Sequence, residues 1–234
     1  MTGPTSQLIC LGGTLCDERV FATFLKKLPR PASIWNYARY NRVSAAAEAL
    51  LAREPTSFVA VGFSLGGFVA LEALRMAPDK VAGVILISGN AFPDNPANAD
   101  ARRDDVASGH MIGLRAFIEA RGSALVSPSC QSFEHVVALI ADMAESQGHE
   151  VHARQAEMNI CRPDLRATVH TSDRPILAIA GSDDNVCPQE RYRDLMRSPN
   201  VTLKSIDGAG HFLPLERPGA CADAIAVFLK EQNL

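Results

Sequence analysis

The sequence predicts an α/β protein: a mostly parallel sheet with helices on both faces and an inserted helical cap. Three observations predict it. Apolar strand-like runs alternate with amphipathic helical runs from the N-terminal end. The strand-like runs are apolar almost throughout, as in a parallel sheet covered on both faces. The alternation stops for one long helical stretch and then resumes.

"QLICLGG" is a short apolar run ending in two glycines, a buried strand and its exit turn. In "CDERVFATFLKKL", Val20, Phe21, Phe24, Leu25 and Leu28 recur at helical spacing, Asp17 is placed to cap the helix, and Pro29 and Pro31 end it. "SIWNYARY" reads as a strand, and "SAAAEALLARE" as a helix that stops before Pro55. "SFVAVGF" is a buried strand that leads straight into Ser64. "LGGFVALEALRMA" is then a helix ended at Pro78, and "KVAGVILIS" another apolar strand.

From Gly89 to Asp173 nothing reads as a strand. "DNPANADARRDD" reads as a polar loop feeding a helix, and "MIGLRAFIEARGSAL", "FEHVVALIADMAESQG" and "HEVHARQAEMNI" each read as helical. The stretch is too long for a loop. Residues 1–88 and 174–234 are therefore expected to form the core, and residues 89–173 a helical cap or lid. Afterwards "PILAIAG" is a strand, "PQERYRDLMR" a helix, "VTLKSID" a strand and "GACADAIAVFLKEQ" the closing helix.

With 234 residues, 47% hydrophobic and 21% charged, the chain can bury a substantial core. Its net charge is −3 and its Lys and Arg are scattered, so neither nucleic acid nor a membrane is expected as partner. The start, "MTGPTSQLICLGG", has no basic segment and only a short apolar run, which predicts a cytoplasmic protein without a signal peptide. The six cysteines form no C-x-x-C pair and no zinc spacing, so free thiols, no metal and no cofactor are expected. The expected assembly is a monomer or homodimer.

The chemistry centres on "VGFSLGG". Gly62-Phe63-Ser64-Leu65-Gly66 fits G-x-S-x-G between an apolar strand and an amphipathic helix. A sharp strand-to-helix turn strains the backbone at the serine and leaves room only for small residues on either side. It also exposes the hydroxyl at the carboxyl ends of the strands, where open α/β sheets bind ligands. Ser64 is thus the candidate nucleophile, against the alternative of a helix-capping serine. His211, in "DGAGHFLPLERP" after the last strand, is the candidate base. Asp183 and Asp184, on the loop after "PILAIAG", are both candidates to orient it. Backbone N–H groups of Leu65 and of Thr14, with Leu15 as the neighbouring choice, are candidates for the oxyanion hole. Phe63, His110, Met111, Phe117 and Phe212 are candidate pocket lining.

"LGGTLCDERVF", "VGFSLGGFVALEAL", "RPILAIAGSDDNVCP" and "DGAGHFLPLERP", in this order, resemble the α/β-hydrolase superfamily and cover most of the chain outside the cap. "LCDERVF" and "DMAESQGHEV" look like a capped bacterial group of serine hydrolases, with carboxylesterases, enol-lactone hydrolases and a lyase of menaquinone synthesis among its members. The resemblance implies an α/β-hydrolase fold and a Ser-Asp-His triad. The family's G-x-x-D-x-x-x-P loop matches Gly181, Asp184 and Pro188, which favours Asp184. The usual His-Gly after the first core strand is Gly12-Gly13 here. The implied activity is hydrolysis of a small ester, lactone or thioester, so the expected partner is a small-molecule acyl substrate. The alternatives are C–C cleavage or elimination at the same site, or a non-catalytic ligand receptor.

Overall fold

The computed structural model describes residues 6–54 and 56–234. Pro55 and the residues 1–5 read above for a leader lie outside them. Six strands form one sheet: β1 (Gln7–Leu11), β2 (Ala32–Ile34), β3 (Phe58–Phe63), β4 (Val81–Ile87), β5 (Ile176–Gly181) and β6 (Val201–Ile206). They lie in the order β2-β1-β3-β4-β5-β6, and every neighbouring pair is parallel.

The helices of the sheet layers are α1 (Ala22–Leu25), α2 (Val43–Arg53) and α3 (Leu65–Met76). Between β4 and β5 the chain forms α4 (Ala99–Ile112), α5 (Leu114–Glu119), α6 (Gly122–Leu125), α7 (Phe133–Gln147), α8 (His149–Ile160) and α9 (Arg166–Thr171). After β5 come α10 (Glu190–Leu195), α11 (Leu213–Glu216) and α12 (Pro218–Glu231).

Period-two alternation divides the core. Leu8, Cys10, Val59, Val61, Ile85, Leu177 and Ile179 face the layer of α1 and α12, with α5 and α7 beyond. Ile9, Leu11, Ala60, Val84, Leu86, Ile176 and Ala178 face α2, α3, α9 and α10. All six residues of β3 are buried, and each large apolar side chain there contributes about 1.5–3 kcal/mol.

Three elements differ from expectation, each for a local reason. "SIWNYARY" is a strand only over β2, because the Asn36 side chain accepts from the Ala38 N–H at 2.8 Å and turns the chain away. "CDERVFATFLKKL" is a 3₁₀ turn at Glu18–Phe21 followed by the single turn α1, and Lys27 and Leu28 donate three residues back rather than four. Asp17 does cap it, accepting from the Arg19 N–H at 3.0 Å. "MIGLRAFIEARGSAL" is broken by Gly113 at φ +85°, so it contributes to α4, α5 and α6 in turn.

Candidate active site

β3 ends at Phe63 and α3 begins at Leu65, which leaves Ser64 alone on the turn between them. Its backbone sits at φ 50° and ψ −115°, and its N–H donates to the Ile87 carbonyl at 2.9 Å. Such a conformation costs about 1–3 kcal/mol for a residue with a side chain. The flanking glycines are steric necessities. A Cβ on Gly62 would lie 2.5 Å from the Gly66 oxygen and the Gly67 Cα. A Cβ on Gly66 would overlap the Leu11 carbonyl, so α3 could not seat against the end of β1. Gly66→Ala is therefore expected to cost about 3 kcal/mol or more. Thermal unfolding should show this as a fall in Tm of roughly 6–12 °C.

His211 stands on the loop after β6, with its Nε2 at 2.9 Å from the Ser64 Oγ. Its Nδ1 lies 2.9 and 3.1 Å from the two oxygens of Asp184, on the loop after β5. Both residues are almost fully buried, at 5% and 4% exposure. Asp184 is itself fixed, because its Oδ1 accepts from the Val186 and Cys187 N–H groups at 2.9 and 2.8 Å. Asp183 turns the other way, to the Ser127 and Ser182 hydroxyls at 2.6 and 2.9 Å. Those two hydroxyls hold its carboxyl below the usual range, the Ser127 bond most strongly. The acid that meets His211 is thus Asp184.

The histidine loop rests on a buried carboxylate. Glu216 Oε2 accepts from the Gly210 and Ser127 N–H groups, both at 2.9 Å. Burial pushes this carboxyl above its ordinary value, against the backbone bonds that favour its charge. The His211 ring packs 5.4 Å from the Phe63 ring, centroid to centroid.

The loop after β1 completes the surroundings of Ser64. Leu65 is the first residue of α3, so its N–H has no acceptor within the helix. Across from it, Tyr37 donates to the Gly12 carbonyl, and Leu15 takes a left-handed turn at φ 57°. The Leu15 N–H is occupied by the Gln155 Oε1 at 2.7 Å. The Thr14 N–H has no hydrogen-bond partner among the described residues. Asn159, one turn further along α8, donates to the Thr14 hydroxyl at 3.3 Å.

Ser64, Leu65, Thr14 and His211 share one cavity of about 280 Å³. Phe63, Phe117 and Phe212 line it. His110 and Met111 do not. Met111 is 82% exposed, and His110 lies outside the cavity, stacked on His149 at 4.2 Å between ring centroids. The cavity face of α4 carries Arg102 and Asp105, and positions 110 and 111 fall on the other side. Sequence reasoning also missed His152, Arg121, Asn159 and Arg162 in the lining. His152, Asn159 and the Gln155 that holds Leu15 repeat at three- to four-residue spacing in "HEVHARQAEMNI". That polar stripe was the available signal.

Among the described residues, no three His, Cys, Asp or Glu side chains gather as metal ligands, and no helix is long and apolar enough to cross a membrane.

The model of the Alpha/beta hydrolase family matches residues 17–224. The chain belongs to this family. Among curated proteins, the hydrolase is 29% identical over 215 residues to a pimeloyl-[acyl-carrier protein] methyl ester esterase of Aromatoleum aromaticum, with 79% of each chain covered. It is 27% identical over 175 residues to a 2-succinyl-6-hydroxy-2,4-cyclohexadiene-1-carboxylate synthase of Citrobacter koseri, covering 73% of this chain and 67% of that protein. Its fold is similar to that of an esterase from Thermogutta terrifontis, with a TM-score of 0.84, 23% identity, and 100% of this chain and 92% of the other covered. It is also similar to that of an enol-lactonase from Burkholderia xenovorans, with a TM-score of 0.80, 17% identity, and 97% and 92% covered.

Proposed function

We propose that this alpha/beta hydrolase cleaves a small carboxylic ester, lactone or thioester through an acyl-enzyme on Ser64. The carrying observation is the unbroken chain of hydrogen bonds from Asp184 through His211 to the Ser64 hydroxyl, at the floor of the cavity. In this mechanism the Ser64 Oγ attacks the acyl carbon as His211 Nε2 takes its proton. Asp184 holds the Nδ1–H and stabilises the imidazolium. The Leu65 and Thr14 N–H groups receive the charge that develops on the carbonyl oxygen. His211 then protonates the leaving group. It next deprotonates the water that releases the acid and frees Ser64. Residues 89–173 act as a cap over this chemistry.

The occupied Leu15 N–H supports Thr14 as the second donor, and it gives Gln155 a positioning role. Gln155→Ala frees Leu15 from its left-handed turn. The expected result is a fall in kcat of about 10- to 100-fold with KM little changed, since a displaced oxyanion donor weakens only the transition state. Steady-state kinetics on p-nitrophenyl acetate measures the split.

The Citrobacter koseri relative, named as a synthase, favours a second use of the same residues: His211 as base for an elimination or C–C cleavage, with Ser64 not acylated. Acid quench during turnover of p-nitrophenyl acetate, followed by peptide mapping, separates the two. An acetyl group on the Ser64 peptide is the expected outcome. Turnover with no covalent species under any quench time contradicts the acyl-enzyme.

A further inference from the structure

Two guanidinium groups face the cavity with one carboxylate behind them. Arg102 on α4 and Arg162, just after α8, both line the cavity. Asp94, which they share, does not, and its side chain is 3% exposed. Arg102 grips Asp94 as a fork, through Nε to Oδ2 and through Nη2 to Oδ1 at 3.1 Å. Arg162 Nη2 reaches the same Oδ1 at 3.1 Å. The remaining cavity arginine, Arg121, pairs with Asp105, which also lines the cavity. That pair is neutral, so one positive charge at the Arg102–Arg162 wall has no counter-ion among the described residues.

One fork already pairs both oxygens of Asp94, so Asp94 by itself does not call for a second arginine. Yet Arg162 is held rigidly. Its Nε donates to the Phe92 carbonyl at 3.1 Å, its Nη1 to Asn159 Oδ1 at 3.2 Å, and its guanidinium lies 4.9 Å above the Phe68 ring. Its side chain is only 13% exposed. Burial pulls this guanidinium down to about 10, with Asp94 opposing and Arg102 and Arg191 adding repulsion. A buried charge without an equal partner is costly, and an anion entering the cavity removes that cost. Arg102 keeps its Nη1 free of hydrogen bonds among the described residues.

We propose that Arg102 and Arg162 form an anion subsite and that the substrate carries a carboxylate remote from its scissile bond. The proposal rests on the Ser64 hydrolase reading above. Paired planar guanidinium groups match the shape of a carboxylate. Phe68 stands one helical turn beyond Ser64 on α3, so the subsite lies on the order of 10 Å from the hydroxyl. That gap fits the ester of a medium-length dicarboxylic acid, its methylenes lying along Phe117, Ile118 and Ile140.

Two matched pairs test it: mono-p-nitrophenyl adipate against p-nitrophenyl heptanoate, and the acetate ester of 6-hydroxyhexanoate against hexyl acetate. In at least one pair, kcat/KM for the anionic member should exceed that for the neutral one by about tenfold or more. Arg102→Gln should reduce this ratio by a similar factor, and Arg102→Lys should restore part of it. Asp94 keeps Arg162 in both variants, and thermal unfolding checks that they fold. Preference for the neutral member in both pairs, or a ratio that Arg102→Gln leaves unaltered, overturns the subsite.

A binding arm needs no turnover. Calorimetry on the Ser64→Ala protein should show adipate binding, adipamide not binding, and adipate binding lost when Arg102→Gln is added. Equal behaviour of adipate and adipamide also overturns the subsite. Neutral esters hydrolysed by the wild type without any anion preference would remove the subsite and leave the Ser64 reading intact. Hydrolysis surviving in Ser64→Ala would remove that reading while the adipate result still stood.

Discussion

Ser64→Ala is expected to reduce p-nitrophenyl ester hydrolysis by at least about 10⁴-fold. The reason is direct. The Ser64 Oγ is the atom 2.9 Å from His211 Nε2, and among the described residues no other hydroxyl meets that nitrogen. The fold should survive, because alanine fits the turn that the glycines at 62 and 66 leave open and also keeps the N–H bond to Ile87. Removal of the hydroxyl relieves none of the backbone strain and exposes no apolar surface. Rates beside a thermal unfolding curve separate loss of chemistry from loss of structure. Activity within tenfold of the wild type would show that another group attacks the substrate.

Asp184→Asn is expected to cost about 10³- to 10⁴-fold in kcat, and Asp183→Asn less than about threefold. Adjacent in sequence, the two aspartates have different partners. Asp184 receives the Nδ1 side of His211 and two backbone N–H groups at 2.8–2.9 Å. An asparagine there can turn its amide nitrogen toward His211 and impose the wrong tautomer, so Nε2 no longer accepts from Ser64. Among the described residues, the Asp183 carboxylate is bonded by two hydroxyl groups, those of Ser127 and Ser182. An asparagine can keep one of those bonds through its carbonyl and donate to the other hydroxyl through its amide. Steady-state kinetics on the two variants gives the comparison, and a larger loss at Asp183 would reassign the acid.

Ser64 and His211 were legible because each follows the end of a strand, Ser64 directly after β3 and His211 across the glycine-containing turn after β6. A parallel sheet places all such ends at one edge. Residue chemistry left Asp183 and Asp184 open, because both lie on the right loop; the spacing Gly181 to Asp184 to Pro188 favoured the second, and the Asp184 carboxylate is the one that lies against His211 Nδ1. The alternating strands were legible for the same reason as the core: β3, β4 and β5 are buried on both faces and admit little but apolar residues.

The helices between β4 and β5 were legible, but not the surface they present to the cavity. Nothing in "MIGLRAFIEARGSAL" states which way its helices rotate. Gly113 at φ +85° breaks the run, and α4 turns Met111 to solvent while Phe117 on α5 turns inward. The polar contacts of the cavity arise between segments distant in sequence. Gln155 with Leu15, Asn159 with Thr14 and Arg162 with Asp94 each join α8 or its exit to a loop far away in the chain. Such pairs follow from tertiary packing, and neither periodicity nor local motif encodes them.

The identity of the attacking atom is tested most directly by a fluorophosphonate probe, read by intact mass and peptide mapping. A hydroxyl activated by His211 should react once per chain, at Ser64 alone, and ester hydrolysis should fall in proportion to labelling. Labelling at another residue, or full labelling of Ser64 with hydrolysis undiminished, would contradict a Ser64 acyl-enzyme.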